Sequence, residues 1–433
     1  MSHQGGANTG GDGTMVHTIP PSAFPPPLMV SEPGSFAEDT IRSRKPTILA
    51  DILAHNTYPP DIVRSLESLR DEIASHAPVT GLSRSGDDVA FWQRALAPWN
   101  GRSWFELPWF LAETYFYRRV LDIVGYKLPG ACPILGLQHA GDPFAPQKAQ
   151  ALRDGLVALE RHIMHVPQAS PVQDRFRLWL RRSLWGNRAD LSNIGTRDDV
   201  DADDERRSEH ILVDHGQRLW ELFAQGQVRH LDVVADNAGA ELLSDLGLID
   251  LLLSEELVQR VRLHLKGQPF FVSDAMPSDL EDTLAALKQD IQPTLAALGA
   301  RLVDHVAAER ICWQTHPFWT KCLHYPQLPD DLRTTLAEAD LLMLKGDVNY
   351  RRLLSDAHWP PTARLEAITS YMPASFVTLR TLKAEIIVGL APGQAEALSR
   401  RDPEWRINGD WGVIHLVEQT EMRPEPPDGD GAS

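Results

Sequence analysis

Four short polar segments in the second half of the chain each follow an apolar run: Asp236-Asn237, Asp274, Lys345-Gly346-Asp347 and Arg380-Thr381-Leu382-Lys383. Asp236, Asn237 and Asp274 supply the oxygen donors that a hard or borderline divalent cation such as Mg2+ or Mn2+ takes. An ion held by three protein groups keeps positions open for water and a substrate oxygen. Lys383, read as opening a helix, adds a point charge to the free N–H groups of a helix N-terminus, which suits a phosphate. A carboxylate-held metal beside a lysine and an arginine is equipment for phosphoryl chemistry. Taken singly, each strand-end Asp is more simply a helix cap. Converging on one edge of a sheet, they point to a site.

The elements that must position these residues alternate. Strand patterns at 228–235, 260–265, 269–275, 339–345, 376–379 and 411–417 are separated by helical stripes, such as Leu242, Leu246, Ile249 and Leu253. A further helix is expected from Lys383. The alternation indicates an α/β fold with a mainly parallel sheet covered by helices, whose ligands sit at the carboxyl ends of the strands. The first half reads as helical instead. Ile48, Ile52, Ile62, Leu66 and Leu69 recur at helical spacing, as do Trp109, Ala112, Phe116 and Val120, with further amphipathic runs at 149–162 and 174–184.

Composition narrows the function classes. The 433 residues carry 42 Lys+Arg against 59 Asp+Glu, a formal charge of −17. No basic cluster exceeds a pair or triplet, which argues against a nucleic-acid partner. Much of the acidity is peripheral: −2 in residues 1–33, −6 in 198–205 and −4 in 418–433, leaving −5 elsewhere. The organisation expected is a Gly/Pro-rich tail (1–33), a helical domain (34–195), an acidic loop (196–209), a metal-binding α/β domain (210–417) and an acidic tail (418–433). Asp199, Asp201 and Asp203 have calcium-loop spacing, but Asp204 and His210 stand where the glycine and bidentate glutamate belong, so a solvated loop is the reading. The longest apolar run, 248–253, is interrupted by Asp250, far short of the ~20 residues of a membrane span. Three cysteines, Cys132, Cys312 and Cys322, suit a reducing compartment. The cytoplasm is expected, with the nucleus left open. Cys312, His316, Cys322 and His324 lack zinc spacing and are interleaved with aromatic residues, so packing is preferred.

At these residues the chain resembles subfamily III of the metal-dependent damage-control phosphatases, also called the acidic residue methyltransferase family. The matching stretches are GSFAEDTIRSRKPTIL (34–49), SWFELPWFLAETYFYRR (103–119), SLWGNRADLS (183–192), DNAGAELLSDL (236–246), FFVSD (270–274), KGDVNYRRL (345–353) and RTLKAEIIVGLAPGQ (380–394). The RTxK turn is that subfamily's own signature. The resemblance implies a helical N-terminal domain packed on an α/β/α sandwich, with the active site between them. It implies a metal on Asp236, Asn237 and Asp274, with manganese, cobalt or nickel supporting activity. It also implies substrate contacts at Glu241, Asp347, Val348, Asn349, Tyr350, Arg351 and Lys383, and hydrolysis of small phosphorylated metabolites such as fructose 1-phosphate and fructose 6-phosphate. From the residues themselves, Asp236, Asp274 and Lys383 are the expected catalytic set. Arg351 and Arg380 would neutralise phosphoryl charge. Asn187 and Asp190 are candidates for reaching the pocket from the helical half, although Gly186 serves equally as the turn ending a helix. The alternative within the family, an S-adenosylmethionine-dependent carboxyl methyltransferase, calls for a Gly-x-Gly turn after the first strand. This chain has Asp236-Asn237-Ala238-Gly239 there.

Overall fold

Where an apolar strand is buried on both faces, each face needs its own cover, and this chain supplies two. In the computed structural model, which describes residues 24–84, 86–126, 141–165, 170–186 and 209–419, the strands are β1 (Ile211–Asp214), β2 (His230–Val234), β3 (Arg260–Leu265), β4 (Ile311–Thr315), β5 (Leu341–Lys345), β6 (Phe376–Thr381) and β7 (Gly412–Val417). They form one sheet in the order β1-β7-β6-β5-β2-β3-β4. All neighbours are parallel except β6 and β7. From β2 the chain builds outward to β3 and β4 on one side, then returns to build β5, β6 and β7 on the other. The crossover point therefore lies between β2 and β5, where the strand order reverses and a crevice opens.

The sheet divides the interior into two cores. Val234, Leu342 and Leu344 turn to one face and pack with the N-terminal helices. Leu231, Val233, Leu341 and Met343 turn to the other, as the period of two requires. On the first face lie α1 (Lys45–His55) and α2 (Trp109–Val124), and α2 is buried along nearly its whole length. On the second lie α3 (Ala145–His165), α4 (Val172–Trp185) and α5 (Ala240–Ser254). The helical half expected at 34–195 is thus split by the sheet: its first part covers one face, while Leu159, Phe176, Trp179 and Leu184 cover the opposite one.

Three local expectations need correction. Residues 26–30, placed in a tail, form an extended strap: Leu28 N–H donates to Asp356 O at 2.8 Å, Trp109 N–H to Leu28 O at 2.8 Å and Val30 N–H to Leu107 O at 3.0 Å. Leu28 and Val30 are buried, and three prolines before them hold the chain extended without needing donors. The 269–275 segment is a loop, not a strand, joined to its neighbour by one bridge, Asn237 to Asp274. Nor does a helix begin at Lys383. The helix α7 (Gln394–Arg401) comes later, after α6 (Gly346–Leu353). The intervening carbonyls of Ala384 and Ile386 instead accept from buried Arg380, which removes acceptors a helix would need. No helix among the described residues is long and apolar enough to cross a membrane. The acidic stretch 198–205 and Cys132 lie outside the described residues.

Helices α4 and α5 meet at a glycine. A Cβ on Gly247 would stand 2.1 Å from the Trp179 ring. Gly247→Ala is expected to destabilise the fold by about 1–3 kcal/mol through overpacking, read as a lowered urea midpoint with an unchanged slope.

Candidate active site

The two segments that carry Asp236-Asn237 and Asp274 are zipped together by backbone. Ala275 N–H donates to Asp236 O at 2.8 Å and Ala238 N–H to Ser273 O at 2.7 Å. This sets Asp236, at the end of β2, beside Asp274, in the loop after β3. Between them, the Asn237 amide is held on both ends. Its Nδ2 donates to Asp236 Oδ2 at 2.8 Å and to Glu241 Oε2 at 2.9 Å, while its Oδ1 accepts from Ser273 Oγ at 2.5 Å. Asn237 lies in the turn before α5 and Glu241 in its first turn, and the turn at Gly239 (φ +72°) brings the two side chains together.

All four are buried, and burial raises the cost of charge. It lifts the Asp236 carboxyl well above its ordinary value, with Glu241 and Asp274 adding like-charge repulsion. Lys266 and Lys383 oppose the rise. Asp274 is raised by burial too, against the pull of Lys266, Lys148 and Arg352. Lys266 Nζ donates to Ala235 O at 2.8 Å and lies 3.1 Å from Asp274 Oδ2. Asp236 Oδ1, buried, has no hydrogen-bond partner. A buried, unpartnered carboxylate oxygen amid mutually repelling carboxylates is the setting a divalent cation relieves. Among the described residues no three His, Cys, Asp or Glu side chains are gathered to hold an ion alone. The donor set is therefore mixed: two carboxylates and the Asn237 carbonyl could hold it.

Two backbone features make this geometry. Gly346, at φ +78°, starts α6 with its Cα against Asp236; a Cβ there would come within 1.9 Å of Asp236 Oδ2. In the 270–274 loop, Phe271 (φ 45°) and Val272 (φ 66°) occupy the left-handed region. That costs roughly 1–2 kcal/mol per residue, and for β-branched Val272 it is a true outlier.

Beneath Glu241 lies a buried lysine. Lys345 Nζ is 3.4 Å from Glu241 and 3.0 Å from Asp245, and it donates to Ser183 O at 2.5 Å and Ser183 Oγ at 2.8 Å. Burial works against its charge, yet Asp245 and Glu241 carry its pKa above the ordinary value. Burial likewise pushes the Asp245 carboxyl up to about 6, with Lys345 pulling it back.

The expected substrate contacts fall into two groups. Glu241 and Lys383 lie close enough to Asp236 to act on its charge, and Asp347 follows Gly346, which packs on Asp236. Lys383 is half-buried. The others belong to the frame. Val348 packs in the core. Asn349 donates to Lys345 O at 2.8 Å and to Val234 O at 3.3 Å, tying β5 to β2. Tyr350 O–H accepts from Val388 N–H at 3.2 Å. Arg351 is fully buried, bonded to Asp356 at 2.6 Å and stacked 3.3 Å from the centroid of the Trp109 ring. Arg380 donates to Asp347 Oδ1 at 2.7 Å and lies over Tyr350. Arg380, expected to meet phosphoryl oxygens, is bonded to Asp347 and to two loop carbonyls, whereas Arg351, expected to do the same, bonds Asp356 through Nε, lies 3.8 Å from Asp347, and keeps both terminal nitrogens buried without a hydrogen-bond partner. Asn187 and Asp190 lie outside the described residues; the described chain stops at Gly186, where a Cβ would stand 2.9 Å from Glu241 Cα. Ser273, Lys266 and Lys345 were not expected in these roles. Position beside Asp274 and at strand ends was the available signal. Of the discounted zinc set, His324 is held neutral, its pKa lowered to about 3 by burial.

Sheet and site together define a doubly wound α/β protein with a carboxylate-lined crevice at its crossover point. Residues 40–398 match the Damage-control phosphatase ARMT1-like domain. A Danio rerio protein named Damage-control phosphatase ARMT1 is 31% identical over 442 residues, covering 90% of this chain and 97% of the relative. The Homo sapiens protein of that name is 30% identical over 442 residues, covering 91% and 98%. The chain belongs to the ARMT1-like damage-control phosphatase family. A solved DUF89 family protein from Pyrococcus horikoshii aligns with TM-score 0.47 and 14% identity, over 88% of this chain and 97% of that one.

Gly346→Ala tests the crevice without removing a polar group. It is expected to fold cooperatively yet lose Mn2+ binding in calorimetric titration, because the added methyl displaces the Asp236 carboxylate. Parental affinity in that variant would show that Asp236 does not hold an ion.

Proposed function

We propose that this chain is a metal-dependent phosphatase that hydrolyses phosphate monoesters of small metabolites, with fructose 1-phosphate and fructose 6-phosphate as the first substrates to try. The observation that carries the reading is the buried Asp236–Asp274 pair, with an unpartnered oxygen and with Lys383 close by, in a chain of a phosphatase family. Asp236, Asn237 and Asp274 would hold Mn2+, Co2+, Ni2+ or Mg2+. Such an ion, when bound, supplies Lewis-acid polarisation of a phosphoryl oxygen and an acidified water.

The chain's own residues then have distinct tasks. Ser273 and Glu241 grip the two ends of the Asn237 amide and turn its carbonyl, as outer partners do for ligands. Lys383 meets the negative charge of the phosphoryl oxygens. Asp347, steadied by Arg380 and Arg351, accepts hydrogen bonds from hydroxyl groups of the metabolite. The buried cluster excludes water except at the crevice, which strengthens each of these interactions. No observation favours methyl transfer: the turn after β2 carries a carboxylate and an amide where a nucleoside would need close backbone approach.

The test is phosphate release from chelator-stripped protein, before and after adding each metal, with both fructose phosphates and a nitrophenyl ester. Metal-dependent release is expected, with Asp274→Ala inactive. Lys383→Ala should raise KM more than it lowers kcat, because the ammonium binds phosphate before and during reaction. Failure of every ester with every metal overturns the proposal. Near-full activity in Asp274→Ala overturns the ligand assignment.

A further inference from the structure

We infer that Tyr117, backed by Lys45 and Glu113, is a positioning residue that clamps the 270–274 loop in its left-handed conformation and so sets the geometry of the metal ligands. The inference rests on the reading that Asp236, Asn237 and Asp274 hold a divalent ion.

The loop cannot hold its own shape. Phe271 and Val272 both have positive φ, and such strain persists only where the surroundings over-determine it. Inside the loop there is little to do so: Ser273 N–H donates to Phe271 O at 2.7 Å and Asp274 N–H to Phe270 O at 3.2 Å. The β2 turn ties down the end of the loop at Ser273 and Ala275, and the contacts described for Phe270 and Phe271, at the strained part, come from the helical layer. The Tyr117 ring stacks on Phe271 with centroids 5.1 Å apart and planes 26° off parallel, and its centroid lies 6.0 Å from that of Phe270. Trp109, one helical face away, also meets Phe271 at 6.4 Å.

Tyr117 is itself fixed by a buried charge cluster. Lys45 Nζ lies 4.6 Å from the Tyr117 ring centroid and 4.9 Å from that of Phe116. It is ion-paired with Glu113 and sits 3.3 Å from the Tyr117 hydroxyl. A desolvated cation against aromatic rings is a strong orienting contact. The same N-terminal segment touches the other side of the crevice, where Phe36 N–H donates to Glu385 at 2.5 Å, two residues from Lys383. The helical layer thus reaches both the Asp274 and the Lys383 side. Tyr117 is not a catalytic residue here; it acts through the loop.

The experiment titrates Mn2+ into stripped protein by calorimetry, with the Mn2+ electron paramagnetic resonance spectrum as a readout of ligand geometry. Parent protein should bind Mn2+ and Asp274→Ala should not; if the parent does not bind, the metal reading falls, whatever Tyr117 does. Given parental binding, Tyr117→Leu should bind about tenfold more weakly with an altered spectrum. Tyr117→Phe, which keeps the ring, should behave as the parent. Adding Val272→Gly to Tyr117→Leu should restore most of the affinity, because glycine accepts positive φ without a clamp. Parental affinity and spectrum in Tyr117→Leu, or no restoration by Val272→Gly, overturns the inference. Should Tyr117→Leu fail to unfold cooperatively, Phe271→Ala removes the same stack from the loop side, and parental affinity there overturns the inference equally.

Discussion

Negative charge buried at the carboxyl ends of β2 and β5 is the constraint on which the rest of the molecule depends. Asp236, Glu241, Asp245 and Asp274 are all buried within two adjoining networks, against the buried ammonium groups of Lys266 and Lys345. Apolar surroundings alone cannot stabilise such a set, since an unpaired buried carboxylate protonates rather than stays charged. The raised pKa directions of Asp236 and Asp274 record that pressure. Lysines on the buried side answer that pressure, and the proposed divalent ion would answer it on the other. Lys345 anchors Glu241 and Glu241 orients Asn237, the residue proposed to turn its carbonyl to the ion. The chain of contacts runs from the core outward, which is how a ligand set is held in place before anything binds.

Two-sided cover of the sheet follows from the same demand. A crevice at the crossover point needs rigid walls, and each wall comes from a different core. One side is built by α3 and α4 pressing on the start of α5, where a Cβ on Gly155, Gly186 or Gly239 would meet the opposing chain within 3.0 Å. The other is built by the aromatic layer of α1 and α2, which meets the 270–274 loop through Tyr117 and Trp109. The N-terminal strap at residues 26–30 then joins α2 to the Asp356 region by backbone hydrogen bonds. None of these elements reaches the crevice with a reacting group, yet each limits where Asp236 and Asp274 can be.

Much of this was legible in the residues. The strand patterns at 228–235, 260–265 and 411–417 correspond to β2, β3 and β7: β2 and β7 are buried along their length, whereas β3 shows through the alternation of Val261, Leu263 and Leu265 with polar residues. The polar residues that follow β2 and β5 come together, Gly346 against Asp236, because the carboxyl ends of parallel strands share one edge of the sheet. The 269–275 segment misled for a physical reason: Phe270, Phe271 and Val272 are strand formers, but they are apolar here to meet Tyr117 and Trp109 across a layer. Lys383 misled differently. Its helix-like context is overridden by a contact distant in neither sequence nor space, Arg380 drawing the carbonyls of Ala384 and Ile386 inward. The strand at β4 (ICWQT) has mixed burial at the sheet edge and so lacks a clear alternation. The strap was hidden by prolines that look like a tail and act as an extended edge.

Arginine and lysine divide the work around the crevice according to their chemistry. Arg351, Arg352 and Arg380 are all buried; Arg352 and Arg380 spend their planar forks on fixed acceptors, while Arg351 uses only Nε and leaves its two terminal nitrogens unpartnered. Arg352 donates to the carbonyls of Trp319 and Lys321 at 3.0 and 2.9 Å, Arg351 to Asp356, and Arg380 to Asp347 and two loop carbonyls. A rigid, weakly hydrated guanidinium suits such permanent duty. Lys383, by contrast, sits half-buried outside any helix or strand and acts on Asp236 through its charge. A compact point charge on a flexible stem can follow a phosphoryl group as its geometry changes, which a guanidinium locked by three acceptors cannot. On the proposed reading, Lys383 would meet the phosphoryl group while Arg352 and Arg380 hold the frame around it.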